Sequence, residues 1–348
     1  MSAVVWALAQ LEAQGCEDAL RDIIDEAEAR IDEFSTQDLS RLAYGLSQLG
    51  FKDCRDFLSA LSVELDSNVK NFRIEGFVQA LEGLVGSQYH PGEITIRRLS
   101  RVSVDKIHEF TPRDLATLLE CIAQLCAANE CSQLIVATSR RVKDFRDQVN
   151  SVHLVRMAWA LAIMNKLDND MLDQCLLAAS YLPAEGCHRL RVDVGRCLLH
   201  MRVRKAAEHT PRVVPGSPAA ECYRCWRKYE VERAVPTAVL EAFGVLEEDN
   251  FECNPHHIVA GGLFVAHTVS GRSGRRFALE VDSQSLCFQN RPQQLLGEVV
   301  WRRQMLEALG WSPLCIEEEK WDIMDTDQRW EYLNTLMRVG DKFSKSGW

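Results

Sequence analysis

Four stretches, Phe34-Ser-Thr-Gln-Asp-Leu39, Phe72-Arg-Ile-Glu-Gly-Phe77, Phe110-Thr-Pro-Arg-Asp-Leu115 and Val149-Asn-Ser-Val-His-Leu154, recur at intervals of 38, 38 and 39 residues. Each runs on with apolar residues three or four apart: Leu39, Leu42, Leu46 and Leu49; Phe77, Leu81 and Leu84; Leu115, Leu118, Ile122 and Leu125; Leu154, Met157, Leu161 and Met164. That spacing is one face of an α-helix, and Ser, Thr or Asp near each start supplies a cap for the first turn. Trp6 precedes Tyr44 by 38 residues, so a shortened copy opens the chain. A fixed period of this length predicts one helical hairpin per repeat, each burying its apolar stripe against its neighbours. The first part, 1–208, is therefore expected to be an α-helical repeat solenoid.

Composition agrees with a folded chain. Of 348 residues 47% are hydrophobic and 26% charged, with 19 Gly and 10 Pro, which excludes disordered and collagen-like classes. Charge interrupts every apolar run well short of the roughly 18–20 residues a membrane span needs. The net charge of −10 is concentrated at the start, where the first 50 residues hold ten Asp/Glu against three Arg. The rest is nearly neutral, which argues against histone-like, patchless phosphate binding and leaves local nucleic-acid contact open. Thirteen cysteines, an odd number scattered through apolar patterns, point to reduced thiols in a reducing compartment. Met1 to Leu11 lacks secretory or transit-peptide character and begins inside a helical pattern. It is read as either cytosolic or lacking its import segment.

Val5-Trp6-Ala7-Leu8-Ala9-Gln10-Leu11 and Met157-Ala158-Trp159-Ala160-Leu161-Ala162 resemble the octotricopeptide and heptatricopeptide repeats of organellar RNA-binding proteins, over roughly residues 1–205. Such a solenoid can hold a single RNA strand or a protein. Basic clusters lean toward RNA: Arg97, Arg98 and Arg101; Arg140, Arg141, Lys143 and Arg146; and Arg202, Arg204 and Lys205. Stacked hairpins would align them along one edge, although acids such as Asp105, Asp144 and Asp147 are interspersed. The acidic residues Glu12, Glu17, Asp18, Asp22, Asp25, Glu26 and Glu28 suit a protein neighbour at the N-terminal end.

Pro211, Pro215, Gly216 and Pro218 break the helical pattern, so residues 209–220 are expected to be a linker and 221–348 a separate α/β region. Within it Gly262–Val269 and Phe277–Asp282 read as strands around a hairpin turn at Gly271–Arg275. A helix follows over about Leu295–Leu309, then a strand at Ser312–Ile316 and a closing helix at Trp330–Met337. Leu279-Glu280-Val281-Asp282, Gly297, Arg302-Arg303-Gln-Met-Leu306-Glu-Ala-Leu309-Gly310-Trp311, Trp321 and Tyr332-Leu333 are similar in order and spacing to the RAP domain, over about 277–336. Ser283-Gln284 stands where that family usually has Gly-Pro, and an apolar residue where it has a nearby His. The resemblance implies a shrunken restriction-endonuclease-like fold following helical repeats. It also links the chain to FAST-kinase-like and mitoribosome-associated RAP proteins.

Phosphodiester cleavage on that fold needs two metal-holding acids and a lysine. Here Asp282 occupies the lysine position after Glu280, and Leu263–Val269 has no acid. A cation-binding role for Glu280 and Asp282, on one strand face, is left as the minor alternative to a structural one. Cys222-x-x-Cys225 with Cys253 and His256 has zinc-ligand spacing, but two reduced cysteines beside Trp226 is the preferred reading, with no stoichiometric metal. No phosphate-loop or nucleophile-elbow motif is present. The expected protein is non-catalytic and binds organellar RNA: mitochondrial ribosomal RNA, as a ribosome component or assembly factor, with plastid as the alternative compartment. A processing nuclease and a protein scaffold are the runners-up. Phosphate contacts are expected from Arg98, Arg101, Arg140, Arg141, Arg202, Arg204 and Lys205, and from Arg272, Arg275, Arg276, Arg302 and Arg303 converging beside the sheet.

Overall fold

The computed structural model describes residues 1–145, 150–183, 186–204, 214–232, 234–248, 251–258, 263–270 and 274–343. It is mostly helical, with a small mixed sheet near the C-terminus. None of the described helices is long and apolar enough to cross a membrane. The chain forms two compact units, 1–166 with 287–298, and 167–286 with 299–348. The expected linker at 209–220 therefore falls within the second unit, and 209–213 lie outside the described residues.

In the first unit α1 (Ser2–Gln10), α3 (Thr36–Gln48), α5 (Ile74–Gly86), α7 (Pro112–Gln124) and α9 (Ser151–Ile163) pack in succession as an inner layer. The outer layer is α2 (Glu17–Ala29), α4 (Arg55–Asn68), α6 (Glu93–Asp105) and α8 (Ser132–Asp144), again each against the next. The recurring stretches lead into α3, α5, α7 and α9. Ser35 accepts from the Asp38 N–H at 3.2 Å, Thr111 and Asp114 form a reciprocal capping box, and Asn150 accepts from the Val152 N–H at 2.6 Å. Phe72 and Phe110 are buried before these caps, and Phe110 meets Phe77 edge-on at 6.5 Å.

The exits repeat as faithfully. Glu12, Gly50, Gln88, Cys126 and Asn165 all have left-handed φ, between 48° and 66°. The next amide in each case reaches back five residues, from Ala13 to Leu8, Phe51 to Leu46, Tyr89 to Leu84, Ala127 to Ile122 and Lys166 to Leu161. These are Schellman closures, which satisfy carbonyls the helix end would otherwise orphan.

In the second unit α10 (Asn169–Ser180), α11 (His188–Arg204) and α12 (Pro218–Glu232) pack together. α13 (Thr237–Glu248) leads into β1 (Glu252–Ile258), β2 (Phe264–Ser270) and β3 (Arg276–Asp282). Beyond β4 (Cys287–Phe288) and β5 (Arg291–Leu295), which belong to the first unit, come α14 (Gly297–Ala308), β6 (Ser312–Glu317), α15 (Glu318–Asp322) and α16 (Thr326–Phe343). The sheet order is β1-β2-β3-β6, antiparallel except for β3 against β6. Its core packs Val269, Phe277, Leu279, Leu314 and Ile316 against Leu246, Trp321 and Leu333 of the helices. β1 was not anticipated. It is an edge strand containing Pro255, a residue that reads as a strand breaker and is tolerated where one side needs no ladder bond.

The segment 287–298, expected inside one small domain, belongs to the first unit instead. Gln289 N–H donates to the Gln88 carbonyl at 2.7 Å, and Asn290 exchanges two 2.8 Å bonds with the His90 backbone. Gln294 donates to the Leu125 carbonyl at 3.3 Å. The strap is thus held by the carbonyls and amides just beyond α5 and α7.

His90 sits under this strap, edge-on to Phe288 at 5.2 Å, and its Nδ1 accepts from the Gly92 N–H at 3.0 Å. Burial, reinforced by Arg291, pushes its pKa down from 6.5 to about 4. The unfolded chain therefore takes up this proton first, so the stability His90 contributes is complete above about pH 6.5 and declines as pH falls toward about 4. Melting temperature is expected to drop between neutral pH and about pH 5, and His90→Gln should shrink that drop. Equal pH dependence in the two proteins would show that His90 is not held neutral.

Candidate nucleic-acid interface

Because α3, α5, α7 and α9 each have 13 residues, equal positions form columns along the inner layer. The sixth residues are Arg41, Gln79, Thr117 and Arg156, and the ninth are Tyr44, Glu82, Glu120 and Trp159. Arg156 of α9 reaches α7, where Nε donates to both Glu120 oxygens at 2.8 and 2.9 Å and a terminal nitrogen to Thr117 Oγ1 at 3.3 Å. Burial raises the pKa of Glu82, against the opposing pull of Arg156 and Arg113. Burial and then Glu82 raise that of Tyr44, while burial and the same two arginines lower that of His153. One row of donors and acceptors thus crosses four repeats. Sequence reading missed it, although sliding the chain by 38 residues lines these positions up.

On the outer layer Arg101 and Arg140 are the ninth residues of α6 and α8, which pack together, so they occupy equivalent sites one repeat apart. Both are exposed, as is Arg97, and none of the three has a carboxylate partner among the described residues. Arg98 is committed elsewhere, to the Asp66 carboxylate and carbonyl of α4, each at 2.9 Å. Arg141 donates to the His108 carbonyl at 3.2 Å and lies over Phe145. Both are tied into the hairpin stack and are poorly placed for phosphate. The side chain of Lys143, together with Arg146, lies outside the described residues.

In the second unit Arg202 is exposed, with its guanidinium carbon 5.6 Å from the Tyr223 ring centre. Arg204 donates to Gln304 at 3.2 Å. Lys205 and Arg272 lie outside the described residues. Arg275 is half-buried, and Arg276 is exposed with its guanidinium over Trp311 at 5.0 Å.

Arg302 and Arg303 correct the expectation of converging guanidinium groups. Arg302 is nearly buried and donates to Glu280 of β3 at 3.1 and 3.2 Å and to the buried Glu230 of α12 at 2.7 Å. Burial alone would drive its proton off, but the two carboxylates outweigh that and raise its pKa further. Arg303 pairs with Asp282, next to Cys315, whose thiol burial pushes up to about 12. Glu280 and Asp282 do share one strand face, as the alternation predicts, and α14 covers that face with two arginines. Each acid therefore already has a cation.

Cys222 and Cys225 lie one turn apart on α12, Cys222 buried beside the fully buried Trp226, and burial pushes the Cys222 thiol up to about 12. The side chain of His256 lies outside the described residues. Among the described residues no three His, Cys, Asp or Glu side chains cluster as a metal site. The chain matches no protein-family model and no curated protein.

Proposed function

We propose that this chain is a non-catalytic RNA-binding protein of an organelle, with its helical repeats holding a single strand. The observation that carries the reading is the register of Arg101 and Arg140, exposed and without carboxylate partners among the described residues, at equivalent sites of adjacent repeats, with Arg97 beside them. Two exposed cations one repeat apart suit contact with the phosphates of one strand, and the polar inner row offers hydrogen-bonding groups of the kind that read unpaired bases. A role without cleavage is supported by the pairing of Glu280 and Asp282 with Arg302 and Arg303, which occupies the acids a nuclease would use to hold metal. The organelle, with mitochondrion ahead of plastid, and a place in or beside the mitochondrial ribosome rest on the repeat and RAP resemblances. The strand order β1-β2-β3-β6, with helices before β1 and between β3 and β6, also supports the RAP reading.

Arg101→Ala with Arg140→Ala is expected to weaken binding of a labelled single-stranded RNA and to flatten its salt dependence by about 0.7 per lost contact, so about 1.4 in slope. Fluorescence anisotropy across a salt series measures this, and an unchanged slope would remove these residues from the interface. Crosslinking in the native cells followed by sequencing of attached RNA distinguishes ribosomal from messenger targets.

A protein partner is the second reading, favoured at the N-terminal end. Glu17, Asp22 and Asp25 of α2 are exposed, whereas Arg21 and Arg30 on the same helix are taken up by Asp18, Asp53, Glu26 and Glu33.

A further inference from the structure

We infer that the outward face of α12 is a nucleotide site of its own, in which Arg224 and Arg227 take a backbone phosphate and the Arg202 guanidinium, seated on Tyr223, stacks a base. The inference rests on the RNA reading for the polymeric nature of the ligand, but its residues are separate from the repeat arginines.

α12 is divided along its length. Ala219, Cys222, Trp226 and Glu230 are buried. Ala220, Tyr223, Arg224, Arg227, Lys228 and Val231 recur at helical spacing on the other side and line a cavity of about 540 Å³. Arg224 and Arg227 are exposed and have no carboxylate partner among the described residues. Lys228 has only a solvent-exposed pairing with Glu232 at 3.6 Å, worth little in water. Three cations on one face are therefore opposed by one weakly held acid.

The aromatic element distinguishes this patch from a plain basic surface. Trp226, fully buried, braces the Tyr223 ring edge-on at 5.3 Å, and Arg202 of α11 lies over that ring. A guanidinium over an aromatic ring sets a planar cation beside a π-face, and unpaired bases stack on both kinds of group. Residues three apart on a helix are neighbours, so Arg224 and Arg227 can close on one phosphate with their planar forks. An acidic protein surface would use the charges and leave the stacking plane idle. A nucleotide uses both.

The test uses the full chain, a labelled 12-nucleotide oligouridylate and free UMP. Arg224→Ala with Arg227→Ala should weaken oligonucleotide binding about tenfold and lower the salt slope by about 0.7, the share of the one phosphate they hold. Tyr223→Leu should cost about tenfold by unseating the stacking plane, whereas Tyr223→Phe, which keeps the ring, should bind as wild type. Wild-type binding by the double variant, with loss in the Arg101→Ala and Arg140→Ala protein, would overturn this site and leave the RNA reading standing. No binding of oligonucleotide by wild type would overturn the RNA reading itself. Displacement of the oligonucleotide by UMP at equal nucleotide concentration would make the ligand a free nucleotide and overturn the strand assignment.

Discussion

Arg302→Ala is expected to destabilise the second unit by about 3–5 kcal/mol, because it strands two carboxylates that have no other cation of comparable geometry among the described residues. Glu230 is 3% exposed and Glu280 sits on the central strand β3, and Arg302 bonds both. The cost comes from the acids left behind more than from the attraction lost. Replacing the triad together, Arg302→Met with Glu230→Gln and Glu280→Gln, should therefore recover much of the loss. Urea unfolding of the three proteins reads this directly. RNA affinity measured where Arg302→Ala is still folded should stay near wild type. If instead stability is unchanged and RNA binding falls, Arg302 faces the ligand, as the sequence reading held.

Gly83→Ala is expected to be costly for a different reason. In α5 an added methyl would stand 2.6 Å from the carbonyl carbon and 2.8 Å from the carbonyl oxygen of Ala43 in α3. Alanine is the better helix former by about 1 kcal/mol, which favours the variant. Overpacking costs about 1–3 kcal/mol and sometimes more. Since the obstacle is backbone and not the end of a flexible side chain, the clash wins, and a net loss of about 2 kcal/mol is expected. Gly50→Ala is the control: nothing lies within 4 Å of its added methyl, so its φ of +66° alone decides the cost, about 1 kcal/mol. A loss for Gly83→Ala no larger than for Gly50→Ala would mean that α3 and α5 are not in backbone contact. Gly45 stands at the equivalent crossing one repeat earlier, where an added methyl would meet the Val5 side chain at 2.9 Å and the Val5 carbonyl at 3.2 Å, a looser approach than at Gly83.

The sequence by itself determined the helical repeats, because everything they need is local. Ser35, Thr111 and Asn150 cap the helices they precede, and the apolar stripe from Leu39 to Leu46 is buried wherever its neighbour lies. It also placed β2, β3, α14 and β6, whose apolar patterns are strong. The common left-handed exit was hidden, because only Gly50 and Asn165 among the five carry residue types that announce it. β1, with its proline and histidines, lacks the apolar alternation of its neighbour β2, and the strap of 287–298 is held by pairing with distant chain, which leaves no periodic trace. The interface differs in the same way. Arg101 and Arg302 are indistinguishable as residues in a list. One is exposed on an outer helix, whereas the other is turned by the packing of α14 onto β3 toward two acids. Charge type is written in the sequence, but whether a charge meets solvent or a buried counter-charge is settled by which helix face the sheet covers.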